Sequence, residues 1–117
     1  TCFDPDAPTG SGFWHWAVAN IPANVTSLEA GAGDPSRGLL PLGAITMPNE
    51  TRSPAFVGAG PPEGTGVHHY WFSVFALDVE RIDINDQATP AVLGFMMRNA
   101  VLARATLVAT GEFGGAA

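Results

Sequence analysis

The 117-residue chain contains no lysine: its five basic residues are all arginine, against eleven acidic ones, for a formal charge of −6. Lysine-based catalysis is therefore excluded, and so is a nucleic-acid partner, because a phosphate backbone is gripped by a basic surface. Cysteine occurs once, as Cys2, so no disulfide can form within the chain, and a small buried apolar residue is the expected role. A lone cysteine fits a reducing compartment, and a cytoplasmic location is expected. Thr1 is not an initiator, however, and a leader removed from a secreted or periplasmic protein would leave the same start. No apolar run approaches the length of about 18 residues that suggests a membrane-spanning helix. Also missing are HExxH and G-x-S-x-G, so neither a compact zinc motif nor a serine elbow is present. What remains is 46% hydrophobic residues, enough for one packed core and hence a single domain over residues 1–117.

The chain is organised around GAGPPEGTGVHHYWFSVFALD, residues 58–78. Gly58, Gly60, Gly64 and Gly66 are expected to tolerate positive φ and to turn backbone N–H groups toward a ligand, with Pro61 and Pro62 stiffening the loop. Residues 67–78 then alternate as a strand. His68, Tyr70, Phe72 and Val74 share one face, with Val67, His69, Trp71, Ser73, Phe75 and Leu77 on the other. So many apolar residues on both faces predict a strand covered on both sides, its polar end at the loop.

Two further stretches carry the other polar groups. Asp4-Pro5-Asp6-Ala7-Pro8 sets two carboxylates in a segment whose prolines forbid a helix, a strand end turning into a rigid loop. Phe13 to Asn20 reads as one strand, with His15, Ala17 and Ala19 on one face and Trp14, Trp16 and Val18 on the other. All three histidines of the chain thus fall in two strands, each beside a loop rich in proline or glycine.

The DPDAP segment, the histidine-tryptophan strand, the GxGPPxGxGxHxY loop and the closing ATLVATGEF together resemble the phosphatidylethanolamine-binding protein family, which includes the Raf kinase inhibitor protein and bacterial homologues. The resemblance implies a mainly β fold, a Greek-key β-sandwich with a C-terminal helix. It also implies a small anion pocket lined by Asp4, His15, Gly60, Pro62, His68 and Tyr70, with Asp6 and Trp16 in support and neither metal nor cofactor. The imidazoles, the phenol and the loop amides would surround an oxyanion with donors. Asp4 would repel an anion unless it orients a histidine, and that is its expected role. Two departures stand out. Family members carry strands ahead of DPDAP, where this chain has three residues, so those strands are expected to be missing, to come from another chain, or to be replaced by a different closure. The family's closing tyrosine is Phe113 here, without a hydroxyl.

Elsewhere, residues 22–52 read as a long surface excursion with one short strand near Gly43–Met47, and its Arg37 and Arg52 as solvated charges. The glycosylation patterns at Asn24 and Asn49 are short enough to arise by chance. Thr89-Pro90 predicts a capped helix from about Pro90 to Leu102, presenting Val92, Phe95, Met96 and Asn99 on one side. A closing strand over 104–113 ends near Gly111, and the GGAA tail is expected to be disordered.

Three functional readings follow. The first, preferred, is a non-enzymatic binding protein for a phosphate-containing small molecule, lipid headgroup or phosphorylated peptide. The second is an inhibitor that docks on a kinase or protease. The third is a hydrolase using Asp4, His15 and His68 as metal ligands or as an acid–base pair.

Overall fold

The computed structural model describes residues 1–115. Its elements run β1 (Cys2–Asp4), β2 (Phe13–Trp16), β3 (Val18–Ala19), β4 (Ile45–Thr46), β5 (His68–Leu77), α1 (Pro90–Met97) and β6 (Val101–Gly111). The fold is mainly β with one helix among the described residues, as the sequence led us to expect. A four-stranded antiparallel sheet has the order β2-β1-β5-β6, and β3 pairs with β4 in a second, two-stranded sheet.

The strand expected over Phe13–Asn20 is split between the two sheets. Ala17, fully buried, is the pivot: β2 precedes it in the first sheet, and β3 follows it in the second. The run ends at Asn20, whose φ of 62° lies in the left-handed region that asparagine tolerates better than most residues. Its side-chain amide clasps the backbone of Ile82, accepting from Ile82 N–H at 2.7 Å and donating to Ile82 C=O at 3.1 Å.

Within β2 the alternation also fails. Cys2 pairs with Trp16 and Phe3 with Trp14, so one step on β1 faces two on β2, and His15 is the extra residue of a bulge. His15 and Trp16 therefore face the same side, where strict alternation had put them on opposite faces.

The core lies where β3, α1 and the segment around Ile82 meet: Ala17, Ala19, Met47, Ile82, Leu93 and Met97, flanked by Ile45, Phe75 and Leu77. The cap of α1 is as expected, Thr89 Oγ1 accepting from Val92 N–H at 3.1 Å with Pro90 in the first turn. Its length and buried face are not. The helix stops at Met97 and buries Pro90, Leu93 and Met97, whereas Val92, Phe95 and Met96 are exposed. In PAVLGFMM almost every position is apolar, so periodicity could not choose a face. Full burial of Leu93 and Met97 is worth roughly 1.5–3 kcal/mol each. The Arg98 guanidinium lies 3.9 Å from the Phe95 ring centroid and shields that exposed ring.

β5 and β6 form a long ribbon, paired from His68↔Gly111 to Leu77↔Val101. The expectation of cover on both faces of β5 is corrected here. His68 and Tyr70 are buried, but Trp71 is 44% exposed and Val74 64%, and Leu107 on β6 is 69% exposed. Apolar composition registered a strand that wants cover, but its neighbours β1 and β6 pair along its edges in the same sheet, and much of its face beyond Tyr70 is left open. Beyond Phe72 the ribbon borders an apolar groove of about 1210 Å³ that also touches Trp16, Val18, Leu28 and Met97.

The 22–52 excursion is tied down more than its composition suggests. It includes β4 and one 3-10 turn over Pro35–Arg37, and Ala32 and Asn49 are buried. The Asn49 amide donates to Ala55 C=O and accepts from Thr51, so it is unavailable for glycosylation in the folded chain. After β6, Gly114 and Gly115 lie in a turn in which Gly115 N–H donates to Glu112 C=O, while Ala116 and Ala117 lie outside the described residues.

Candidate functional site

β1 ends on Asp4 because Pro5 cannot continue the ladder, and the loop returns to β2 through Gly12. Gly12 has φ of 78°, and a Cβ there would stand 2.6 Å from Phe3 Cζ and 2.9 Å from Asp4 C=O, so only glycine fits. The loop makes the two carboxylates face different ways. Asp4 is 2% exposed; its Oδ1 accepts from Asp6 N–H at 2.8 Å, and its Oδ2 lies 2.6 Å from His68 Nδ1. Asp6 lies at the surface and accepts both His69 N–H and His69 Nδ1–H on Oδ2, each at 2.8 Å. Each carboxylate of DPD thus takes one histidine of the His68-His69 pair. The bonds from the His69 side chain and then its backbone hold the Asp6 carboxyl below the usual carboxylate range.

The bulge in β2 brings His15 to the same side. Its Nδ1 donates to Val57 C=O at 2.8 Å, while Val57 N–H donates to His15 C=O, so the segment after the excursion fixes the ring. The His15 ring meets Tyr70 edge-on at 5.2 Å, and Tyr70 stacks with His68 at 6.4 Å. Burial, and then the Asp4 charge, raise the Tyr70 phenol above its ordinary value, so it stays an O–H donor at neutral pH.

Among the described residues the one fully buried side-chain donor or acceptor without a partner is Trp16 Nε1. His15 Nε2 and the Tyr70 hydroxyl also have no protein partner there, and they reach solvent even though both residues are only 6% exposed. They are the polar atoms that open outward from this cluster.

The structure thus brings together Asp4, His15, His68 and Tyr70, with Asp6 one step outside. Trp16 belongs to the apolar floor next to the cluster, packed on Phe56 at 6.1 Å, with Phe72 at 6.4 Å from Phe56. Pro62 contributes its carbonyl, which accepts from the Thr65 hydroxyl at 2.7 Å. Gly60 is exposed, with open space around its α-carbon. All four loop glycines were expected to tolerate positive φ; of them Gly64 and Gly66 use it, at 81° and 77°. Arg37 bonds Ala30 C=O, and Arg52, with φ of 69°, occupies a turn.

Two participants were not foreseen. Nothing in the sequence marks the Val57 carbonyl. Thr65, whose Oγ1 lies 2.8 Å from His68 Nε2, was signalled only by its place between two glycines three residues ahead of the histidine.

A family model described as phosphatidylethanolamine-binding protein matches residues 1–112. The chain belongs to the phosphatidylethanolamine-binding protein family. The UPF0098 protein YbcL of Escherichia coli (strain K12) is 45% identical over 107 residues, which cover 92% of this chain and 58% of that protein. The UPF0098 protein YbhB of the same organism is 44% identical over 111 residues, covering 93% of this chain and 68% of the relative. The crystal structure of E. coli YbcL, described as a new member of the mammalian PEBP family, superposes with a TM-score of 0.91 at 44% identity, covering 96% of this chain and 68% of that one. Both relatives are longer than the sequence described here, which spans little more than half of YbcL. No helix among the described residues is long and apolar enough to cross a membrane.

Proposed function

We propose that this chain is a binding protein for phosphate-type oxyanions, whether free or carried on a headgroup or peptide, with no bond-making chemistry of its own. The observation that carries the reading is the pair of unpartnered polar atoms, His15 Nε2 and Tyr70 Oη, which open beside a histidine fixed by a buried carboxylate. An oxyanion offers acceptors in several directions, and this cluster offers imidazole and phenol donors. Because His15 Nδ1 already gives its hydrogen to Val57 C=O, donation from Nε2 needs a second ring proton.

One arrangement favours a hydrolase at first sight. Asp4, His68 and Thr65 stand in a carboxylate–imidazole–hydroxyl row with contacts of 2.6 and 2.8 Å. A nucleophilic hydroxyl, however, must hand its hydrogen to the imidazole, and Thr65 is 2.7 Å from Pro62 C=O, which can only accept. The hydroxyl hydrogen is committed there, which argues for binding over catalysis. Among the described residues no three histidine, cysteine or acidic side chains are placed to hold one metal ion: Asp4 Oδ2 and His68 Nδ1 face each other, and His15 Nδ1 is bonded to Val57 C=O.

Titration with inorganic phosphate and with O-phosphorylethanolamine, followed through the histidine ring resonances, tests the proposal. His15 and His68 should shift together. Rings that stay silent toward both ligands would defeat it.

A further inference from the structure

The hydrogen bonds around His68 fix a proton count. Thr65 has one hydroxyl hydrogen and two close partners, Pro62 C=O at 2.7 Å and His68 Nε2 at 2.8 Å. A carbonyl cannot donate, so the hydroxyl hydrogen points to Pro62, and the bond to the ring requires a hydrogen on Nε2. On the other side Nδ1 and Asp4 Oδ2, 2.6 Å apart, share one more. That second hydrogen rests either on the ring, as an imidazolium beside a carboxylate, or on the carboxyl. Either way the pair holds two protons and is neutral overall. With His68 1% and Asp4 2% exposed, a neutral pair is cheaper to bury than one with net charge.

His68 Nε2–H is therefore a ready-made donor, and it is covered. The cover is a single hydroxyl on a half-buried residue, flanked by Gly64 and Gly66, both exposed and with open space around their α-carbons. Apart from the two Thr65 hydroxyl contacts, this turn is held by Thr65 N–H donating to Pro62 C=O at 3.3 Å, a long bond. Opening the turn would therefore cost the Thr65–His68 contact and this one long bond.

We propose that Thr65 is an internal competitor for the anion. Its hydroxyl oxygen occupies the position, 2.8 Å from His68 Nε2, that a ligand oxygen takes when the 62–66 turn opens. The inference rests on the oxyanion-binding reading above and adds a residue that sets affinity without contributing to it. It also makes the turn a reporter: an anion that displaces Thr65 frees Gly64, Thr65 and Gly66 together.

Calorimetric titration of wild type, Thr65→Ala and Thr65→Ser with inorganic phosphate, repeated with O-phosphorylethanolamine, tests this. Removing a neutral hydrogen bond from the unliganded state should tighten binding about two- to tenfold in Thr65→Ala. Thr65→Ser, which keeps the hydroxyl, should match wild type. Amide exchange at 64–66 should speed up in wild type when ligand is added and be fast already in Thr65→Ala. A gain with both ligands assigns the competition to the phosphate group they share, and a gain with the amine-bearing ligand alone makes the headgroup the displacing species. If wild type binds and moves the His15 resonances but Thr65→Ala binds equally or more weakly, the competitor idea is overturned while oxyanion binding survives. If no variant binds either ligand while circular dichroism shows each folded, both proposals fall.

Discussion

Asp4 Oδ2 and His68 Nδ1 stand 2.6 Å apart across 64 positions of sequence, both residues almost wholly withdrawn from solvent. The contact joins the first strand to the strand that pairs with it, so the fold and the candidate site share one interaction. Removing one partner leaves the other buried and unpaired.

Asp4→Ala should therefore cost about 3–5 kcal/mol of stability, the penalty typical of breaking a buried pair from one side. The Asp4→Ala/His68→Ala double variant should lose less than the two single losses combined, since neither group is then left alone. Urea denaturation of the four proteins measures this, and simple additivity would mean that the pair does not interact.

Asp6 and His69 give a pH dependence with a definite sign. The folded chain holds the Asp6 carboxyl below its ordinary range through the His69 bonds, so the unfolded chain binds that proton more readily. The clasp contributes fully above the unfolded carboxyl value, and its contribution is lost as the pH falls through the lowered folded one. Denaturation midpoints of wild type and Asp6→Asn should differ at neutral pH and converge in acid. The group is exposed, so added salt should shrink the gap. A constant offset at all pH values would assign the effect to packing.

Cys2 should be inert. Burial pushes its thiol up to about 11, and it is 1% exposed. Iodoacetamide near neutral pH should label it at the rate of global or local opening, and rapidly once urea has unfolded the chain. Prompt labelling of the native protein would show that β1 opens locally between β2 and β5.

Gly12→Ala should destabilise by roughly 1–3 kcal/mol, because the new methyl meets Phe3 and the Asp4 carbonyl in a left-handed backbone. Phosphate binding should weaken in the same variant, since the carbonyl that must move belongs to Asp4. Thermal melts and the phosphate titration read the two effects separately.

Much of this was legible in the chain. DPDAP, the paired histidines and Tyr70 announced themselves because prolines, an aromatic strand and a glycine-rich loop leave few alternatives. The rest was not legible, for physical reasons. Periodicity could not orient α1, where apolar residues surround the axis, nor foresee that Ala17 would hand the chain from one sheet to the other. The Val57 carbonyl was invisible because every residue has one. Thr65 could not be singled out because a hydroxyl in a loop is ordinary until its two partners are known.

The bulge at His15 is a matter of count rather than chemistry. Substitutions in β2 change what a side chain offers but leave its direction alone. Loss of a single residue there would restore the regular ladder and send either the imidazole or the Trp16 ring to the far side of the sheet. For this strand the quantity that descent must preserve is length, and an alignment gap of one at this place would be a better sign of a lost site than any exchange of residues.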